Sequence, residues 1–559
     1  MIVPLNLARW FPFLAWPRPN RELLRGEFWA GMTVGLMLVP QGVAYAQLAG
    51  MPLITGMYAS FIPMLVAVLW GSSVRLGVGP TALTSLLTGA SLIGLAQPGS
   101  AHWVALVVWI AILSGLLQAT LGVVRFGWLL SLVTSPVLNG FTQAAALLIL
   151  TSQLPSLLGL TTGWRAFLQQ PSWQSLEWRA AAFGLASIAL LWTMQRWRRS
   201  FPAAIVVIAL TATASWALGF AAHGGAVIGA LPQGLPSLFL PGWLDWSDFS
   251  ALIMPVMVIT LVSFLETASS AKVDHGQGGT QWNENQDLIA HGLAKVSSGL
   301  CGAFPTSASF SRSALNLYAG AQTGWATLFA FALVLAALLW LVPLLFHVPQ
   351  SVLAAVVIVA IKGLIKPMSM LRLWRLSRVE TVTGLLTFAI TLLSAPRMYW
   401  GVLIGLLVNL SHFLFQRLHP RIIEVGLHPD GTLRDRVLWN LSALPAQVLA
   451  LRMDAALDFA SATALEKRVA DEFANRPQLR HLCLFAQPIN RIDVTGVEAF
   501  VRLLLLMQSR GGMLHVSGLK LPVQQTLEVA GALKPNSHLS LYRTDAQAVA
   551  AVQKLYATG

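Results

Sequence analysis

The chain runs to 559 residues, of which 56% are hydrophobic and only 10% charged, with a formal net charge of +14. An ordinary soluble protein carries about 25% charged residues, so most of this chain is excluded from that class. The basic excess does not mark a nucleic-acid binder either, because it falls in short clusters between apolar runs and forms no basic stripe on a nucleic-acid fold.

Hydropathy divides the chain. Residues 1–420 hold 31 of the Lys, Arg, Asp and Glu side chains and residues 421–559 hold 27. The expected organisation is an N-terminal segment over 1–27, a transmembrane domain over 28–420 and a small soluble domain over 437–559. No apolar region followed by a cleavage site precedes Phe28, so no cleaved signal peptide is expected and the first span directs insertion. The two cysteines, Cys301 and Cys483, exclude a disulfide framework, and no Cys/His spacing suggests a metal. No cofactor is expected.

A bilayer core takes roughly 20 apolar residues per helix. Apolar stretches place spans near 28–48, 51–70, 80–95, 102–123, 134–154, 178–194, 201–220, 249–271, 285–302, 306–319, 324–345, 349–366, 380–395 and 399–416. That makes fourteen, several too short to cross alone. With both ends cytoplasmic, 15 of the 21 basic residues before position 420 lie inside, including Arg9, Arg18, Arg196, Arg198, Arg199 and Arg372. Only Arg165, Arg179 and Arg397 lie outside, while Lys295, Arg312 and Lys362 fall within spans.

A faint repeat runs through these spans. The third opens Gly79-Pro80-Thr81-Ala82 and the tenth Phe304-Pro305-Thr306-Ser307. Pro40 precedes Pro80 by 40 residues, and Glu266 precedes Pro305 by 39. An odd number of spans separates each pair, so the two halves are inverted in the membrane, the mark of secondary transporters.

Three constellations carry chemistry. In the first span, Pro40, Gly42 and Gly50 break regular backbone bonding, which a bilayer tolerates only around a cavity or under cover of protein. Gln41 and Tyr45 supply N–H and O–H donors suited to an oxyanion. The alternative there is a kinked helix bridging its neighbours. At the start of the tenth span, Ser309-Phe310-Ser311-Arg312 crowds hydroxyls and a cation onto a helix N-terminus, where unpaired N–H groups favour anions. An intramembrane Arg is costly and seldom incidental. If the third and tenth spans meet head to head, two helix N-termini and Arg312 make a site selective for negative charge. The alternative is an Arg paired with a carboxylate for structure. Glu266 is the only carboxylate deep within a span, and it suits either a coupling residue or a partner for Arg312.

These residues resemble the signature of the sulfate permease (SulP) family, which includes the pendrin and prestin group. The resemblance runs on through Gly56-Met57-Tyr58-Ala59-Ser60-Phe61-Ile62-Pro63, Asn285-Gln286-Asp287-Leu288 with Gly292, and Phe310 to Asn316. It covers almost the whole chain in order and spacing. It implies an all-α polytopic domain of fourteen spans in two inverted sets of seven, the uracil-permease type of fold. Spans 1–4 and 8–11 then move as a core against a gate. By residue match Gln41, Tyr45, Ser311 and Arg312 fall on anion-binding positions, with Thr81, Ala82, Ser309 and Phe310 beside them.

The C-terminal part looks like a cytoplasmic STAS domain, a small α/β fold carried here by Ile492-Asp493-Val494-Thr495-Gly496. In the related anti-sigma factor antagonists the residue after Asp is a phosphoacceptor. Val494 takes that place, which excludes a phosphorylation switch there, while Thr495 remains able to cap the following helix. Short strands are expected at 448–451, 481–485 and 513–516, with helices at 461–474 and 495–509. Lys295 stands where many relatives have Asn.

The expected function is secondary transport of a small anion across the cytoplasmic (inner) membrane, by a homodimer with both termini cytoplasmic and no nucleic-acid partner. Sulfate leads, with a coupling proton (or sodium) at Glu266. Bicarbonate, chloride and a C4-dicarboxylate stay open. A nucleobase permease is disfavoured by Arg312 in the tenth span, and the absence of a P-loop excludes an ATP-driven pump. A membrane-tethered sensor that binds anion and signals through the STAS domain is the rival of a different class.

Overall fold

The computed structural model describes residues 11–128, 134–160, 177–197, 203–278, 282–362, 365, 367–442 and 444–557. The expectations placed on Arg9, Arg165, Arg198 and Arg199 lie outside the described residues. The chain divides into two units, Met1–Asn409 and Leu410–Gly559.

Among the described residues the first unit is helical apart from two short strands. Helix α1 (Arg21–Leu48) starts where the Asn20 side chain accepts from the Leu23 N–H at 2.7 Å. It runs through Pro40, whose missing N–H leaves a break in the backbone ladder. Next come α2 (Thr55–Ala59) and α3 (Ile62–Trp70). A Cβ on Gly56 would stand 1.9 Å from the Gly42 carbonyl oxygen, so α2 meets α1 backbone to backbone. Strand β1 (Val78–Gly79) leads into α4 (Ala82–Leu92). Then follow α5 (Ala101–Val123), α6 (Ser135–Leu158), α7 (Trp178–Trp197), α8 (Ala203–Ala217) and α9 (Trp246–Gly278).

Helix α10 (Glu284–Leu300) packs along α5. Glycines permit the close approach, since a Cβ on Gly292 would lie 2.6 Å from the Gly115 carbonyl oxygen. Strand β2 (Ser307–Ala308) and the short α11 (Phe310–Tyr318) follow. Helix α12 (Trp325–Ala336) continues through a π turn and a 3₁₀ turn to Leu345. Then follow α13 (Gln350–Ile361), α14 (Pro367–Leu376), α15 (Arg378–Leu393) and α16 (Tyr399–Leu418), within which the first unit ends. Among the described residues, five helical stretches are long and apolar enough to cross a membrane, at 101–123, 135–158, 246–271, 325–345 and 399–418, and shorter apolar helices accompany them. Helix α14 occupies a stretch read from sequence as a basic loop. Its Arg372 and Arg375 alternate with the exposed apolar Leu371 and Trp374, which breaks any apolar run.

One apolar core extends through α1, α4, α5, α9 and α13. At its edge the buried Glu27 accepts from the backbone N–H groups of Gln322, Thr323 and Ala326 at 2.8, 2.9 and 2.8 Å. A carboxylate from α1 thereby caps α12, satisfying donors that every helix start leaves unpaired.

The second unit holds a six-stranded sheet in the order β4-β3-β5-β6-β7-β8. Strands β3 (Ile422–Leu427) and β4 (Leu433–Asp435) form an antiparallel hairpin on the edge. Strand β5 (Val448–Met453) pairs antiparallel with β3 and parallel with β6 (His481–Phe485), which pairs with β7 (Met513–Ser517) and then β8 (Leu539–Tyr542). Between them lie α17 (Ala462–Asn475), α18 (Val494–Ser509), α19 (Leu521–Val529) and α20 (Asp545–Ala557). Leu449, Leu451, Leu482 and Leu484 face one apolar cluster, and Val448, Ala450, Cys483 and Phe485 the other. Alternation along each strand therefore buries both faces of the sheet.

The sheet starts at Ile422, before the boundary at 437 read from composition. The β3–β4 hairpin mixes five apolar residues with the charged Glu424, Arg434 and Asp435 and so carries no hydropathy break. The cap of α18 is Asp493, whose Oδ1 accepts from the Gly496 N–H at 2.8 Å, rather than Thr495. A second oxygen of the same carboxylate accepts from Phe459 N–H at 3.0 Å.

Candidate anion site

Strands β1 and β2 are each two residues long and pair antiparallel, Val78 opposite Ala308 and Gly79 opposite Ser307. Within three residues of its strand, each chain turns into a short helix. Antiparallel strands send those helices away in opposite directions, so the N-termini of α4 and α11 stand side by side. The close approach depends on glycine, because a Cβ on Gly77 would fall 2.6 Å from the Cβ of Arg312.

Both helix starts are capped by their own hydroxyls. Thr81 Oγ1 accepts from Thr84 N–H at 3.3 Å, and Ser309 Oγ accepts from Arg312 N–H at 3.5 Å. Ala82, the first residue of α4, is buried. A helix N-terminus carries roughly half a positive charge, so two of them face the same small region.

Arg312 lies in the first turn of α11 and is 0% exposed. Its Nη1 donates to the Pro80 carbonyl at 2.9 Å and stands 3.4 Å from Gln41 Oε1. Its Nε and Nη2 are buried and have no hydrogen-bond partner among the described residues. Leaving charged donors unpaired in a dry interior is expensive, and a planar guanidinium edge is shaped for an oxyanion. Glu266 does not fill that edge. Its carboxylate accepts from the Thr81 hydroxyl, at 3.1 Å to Oε2 and 3.4 Å to Oε1. Tyr45 is buried from α1, with the charges of Arg312 and Glu266 both acting on it.

The expected site residues thus divide. Gln41, Tyr45, Thr81, Ala82, Glu266 and Arg312 gather around the two helix starts. Ser309 is half-buried between. Phe310 is 48% exposed and Ser311 is exposed, because successive residues of a helix point about 100° apart. Ser311 instead lines a cavity of about 460 Å³ with Thr33, Met37, Trp192, Tyr318 and Lys362.

Behind Glu266 lies a second buried cation. Lys295 on α10 is 0% exposed and donates to Gln118 Oε1 of α5 and to Ser263 Oγ of α9. The Ser263 hydroxyl also donates to Gln118 Oε1 at 3.1 Å. Sequence alone pointed to Lys295 but left its partners open. A lone Gln within the most apolar stretch of α5 was the signal for them.

The protein-family model described as the sulfate permease family matches residues 24–387, and that of the STAS domain matches residues 443–548. Sulfate transporter 4.1, chloroplastic, of Arabidopsis thaliana is 30% identical over 568 residues, spanning 95% of this chain and 81% of that protein. The sodium-independent sulfate anion transporter of Bos taurus is 30% identical over 93% of this chain and 88% of its own. The solved structure of the murine Solute Carrier 26 family member A9 anion transporter in the inward-facing state matches with a TM-score of 0.89. It does so at 20% identity, covering 99% of this chain and 95% of that one.

Proposed function

The chain belongs to the sulfate permease family, and from that premise we propose that it is a proton-coupled transporter of sulfate working by alternating access. The observation that carries the reading is the buried guanidinium of Arg312, with Nε and Nη2 unpartnered beside two helix starts. An oxyanion placed there receives the charge-assisted bonds the protein leaves unmade. Gln41 fixes the guanidinium plane, and Thr81 holds Glu266 within reach of the same charge.

The transport domain comprises fourteen spans in two inverted sets of seven, with α1 and α9 as corresponding members and α4 and α11 as the broken, half-length pair. Antiparallel pairing of β1 with β2 supports that correspondence. The core moves with its anion between the two sides of the inner membrane, in a homodimer with both termini in the cytoplasm. The domain after the last span is cytoplasmic and adjusts the rate. Glu266 carries the coupling proton, neutral in one part of the cycle and charged in another, since among the described residues it is the carboxylate whose charge acts on Arg312, and it bonds a neutral hydroxyl. Sulfate heads the anions because the relatives named above are sulfate transporters.

Labelled sulfate and purified protein in liposomes test the reading. A transporter fills the vesicles, and acid outside accelerates the filling. Saturable binding with no entry into the lumen would make the protein a sensor instead.

A further inference from the structure

Three charged side chains make up the buried region around the anion site. Arg312 and Lys295 are cations with no exposed surface, and Glu266 is a carboxylate whose charge acts on both. The partners of Lys295 are neutral, the Gln118 amide oxygen and the Ser263 hydroxyl. Ser263 is one helical turn from Glu266 on α9, and its carbonyl accepts from Ser307 Oγ of β2 at 3.1 Å. The cation is therefore anchored directly behind the site, and among the described residues no hydrogen bond to a carboxylate neutralises it.

The other groups around Lys295 do not balance it. On α5 the facing polar group is Gln118. Along α10, the buried His291 lies one turn away and brings no negative charge. Asp287 lies two turns away, about 12 Å along the axis. Its carboxylate is taken up by Ser72, Ser73 and Trp282, at 2.7 Å from Ser72 N–H and 2.8 Å from Trp282 Nε1. Next to it Asp274 pairs with Arg75 at 2.5 Å. That cluster closes on itself.

In a medium of low dielectric an uncompensated charge is penalised steeply, so the formal charge of the loaded site decides what binds. With Glu266 protonated, the two cations balance a divalent anion. With Glu266 ionised, they balance a monovalent one. Without Lys295 the pattern moves by one charge. A monovalent anion then needs the proton on Glu266, and a divalent anion leaves a net negative charge that the single carboxylate cannot remove.

We propose that Lys295, bound to Ser263 and Gln118 behind Glu266, sets the charge class of the anion carried with the proton, making the coupled substrate divalent. The inference rests on Glu266 as the coupling residue.

The test uses the full chain in proteoliposomes, with labelled sulfate and labelled chloride, and the outside at neutral or acid pH. Wild type is expected to show acid-stimulated uptake of sulfate and acid-indifferent uptake of chloride. Lys295→Gln keeps a donor for Ser263 and Gln118 but removes the charge. It is expected to lose apparent sulfate affinity about tenfold or more and to acquire acid-stimulated chloride uptake. Lys295→Arg is expected to retain the wild-type pattern. Acid-stimulated sulfate uptake at wild-type affinity in Lys295→Gln overturns the proposal and leaves the assignment of the transporter standing. Should Lys295→Gln fail to fold, wild type decides, because acid-stimulated chloride uptake alongside sulfate overturns the proposal. A wild type that moves neither anion overturns the transport reading as well.

Discussion

Nη1 of Arg312 donates to the carbonyl of Pro80 at 2.9 Å, joining the first turn of α11 to the residue before Thr81, the cap of α4. One bond thus fastens the two short helices to each other, 232 residues apart in sequence, and fixes where the rest of the guanidinium points. The free edge, Nε and Nη2, is what the site offers to an anion.

Replacing Arg312 with Ala removes that edge. Losing one charge-assisted contact costs on the order of 1.5–3 kcal/mol, or ten- to hundredfold in affinity. Sulfate uptake by Arg312→Ala should fall at least that far, while the purified protein elutes from size exclusion as wild type does. Uptake unchanged in the variant would remove Arg312 from the site.

Glu27 makes a structural prediction independent of transport. Its carboxylate accepts from three backbone N–H groups at the start of α12. Glu27→Ala leaves them without a partner in a buried position, which should cost about 2–4 kcal/mol. Glu27→Gln, which keeps one acceptor oxygen, should cost less. Thermal unfolding of the detergent-solubilised protein measures both, and equal midpoints for Glu27→Ala and wild type would contradict the assignment.

The second unit should respond to acid through His515. The ring is buried on β7, 3.1 Å from the Tyr542 hydroxyl and 3.3 Å from the His481 ring. Burial first, and the neighbouring His481 second, push it from 6.5 down to about 4. The unfolded chain takes up the proton near pH 6.5 and the folded one only near 4, so the stabilisation is complete above 6.5 and drains away as pH falls between those values. The loss amounts to about 3 kcal/mol. The denaturant midpoint of the C-terminal transition should drop over that window in wild type. It should drop less in His515→Gln, and parallel curves would contradict the account.

How much of this was legible beforehand follows from what leaves a trace in one sequence. Apolar runs such as Ala101–Val123 announce themselves by length, and Pro80 and Pro305 mark where runs break. Arg312 and Glu266 stood out because charge is rare in such stretches. The separation of Ser311 from Arg312 was invisible, since neighbouring residues in a motif look equivalent until the helix axis is placed. Gly77, Gly115 and Gly292 matter through what a Cβ would strike across the packing, which no local pattern reveals. The β3–β4 hairpin was missed for a related reason. Its strands are short and partly charged, and Glu424 on β3 finds Arg436 and Arg476 only once the sheet has formed.

The central claim is that anion held at Arg312 moves with a proton held at Glu266. It is tested most directly by sulfate accumulation in proteoliposomes bearing wild type or Glu266→Gln under an inward proton gradient. The amide copies the protonated carboxyl and still accepts from Thr81. Glu266→Gln should bind sulfate and exchange external for internal label at near wild-type rates, yet fail to accumulate sulfate above the outside concentration. Sulfate accumulation by Glu266→Gln driven by the pH gradient would contradict the account.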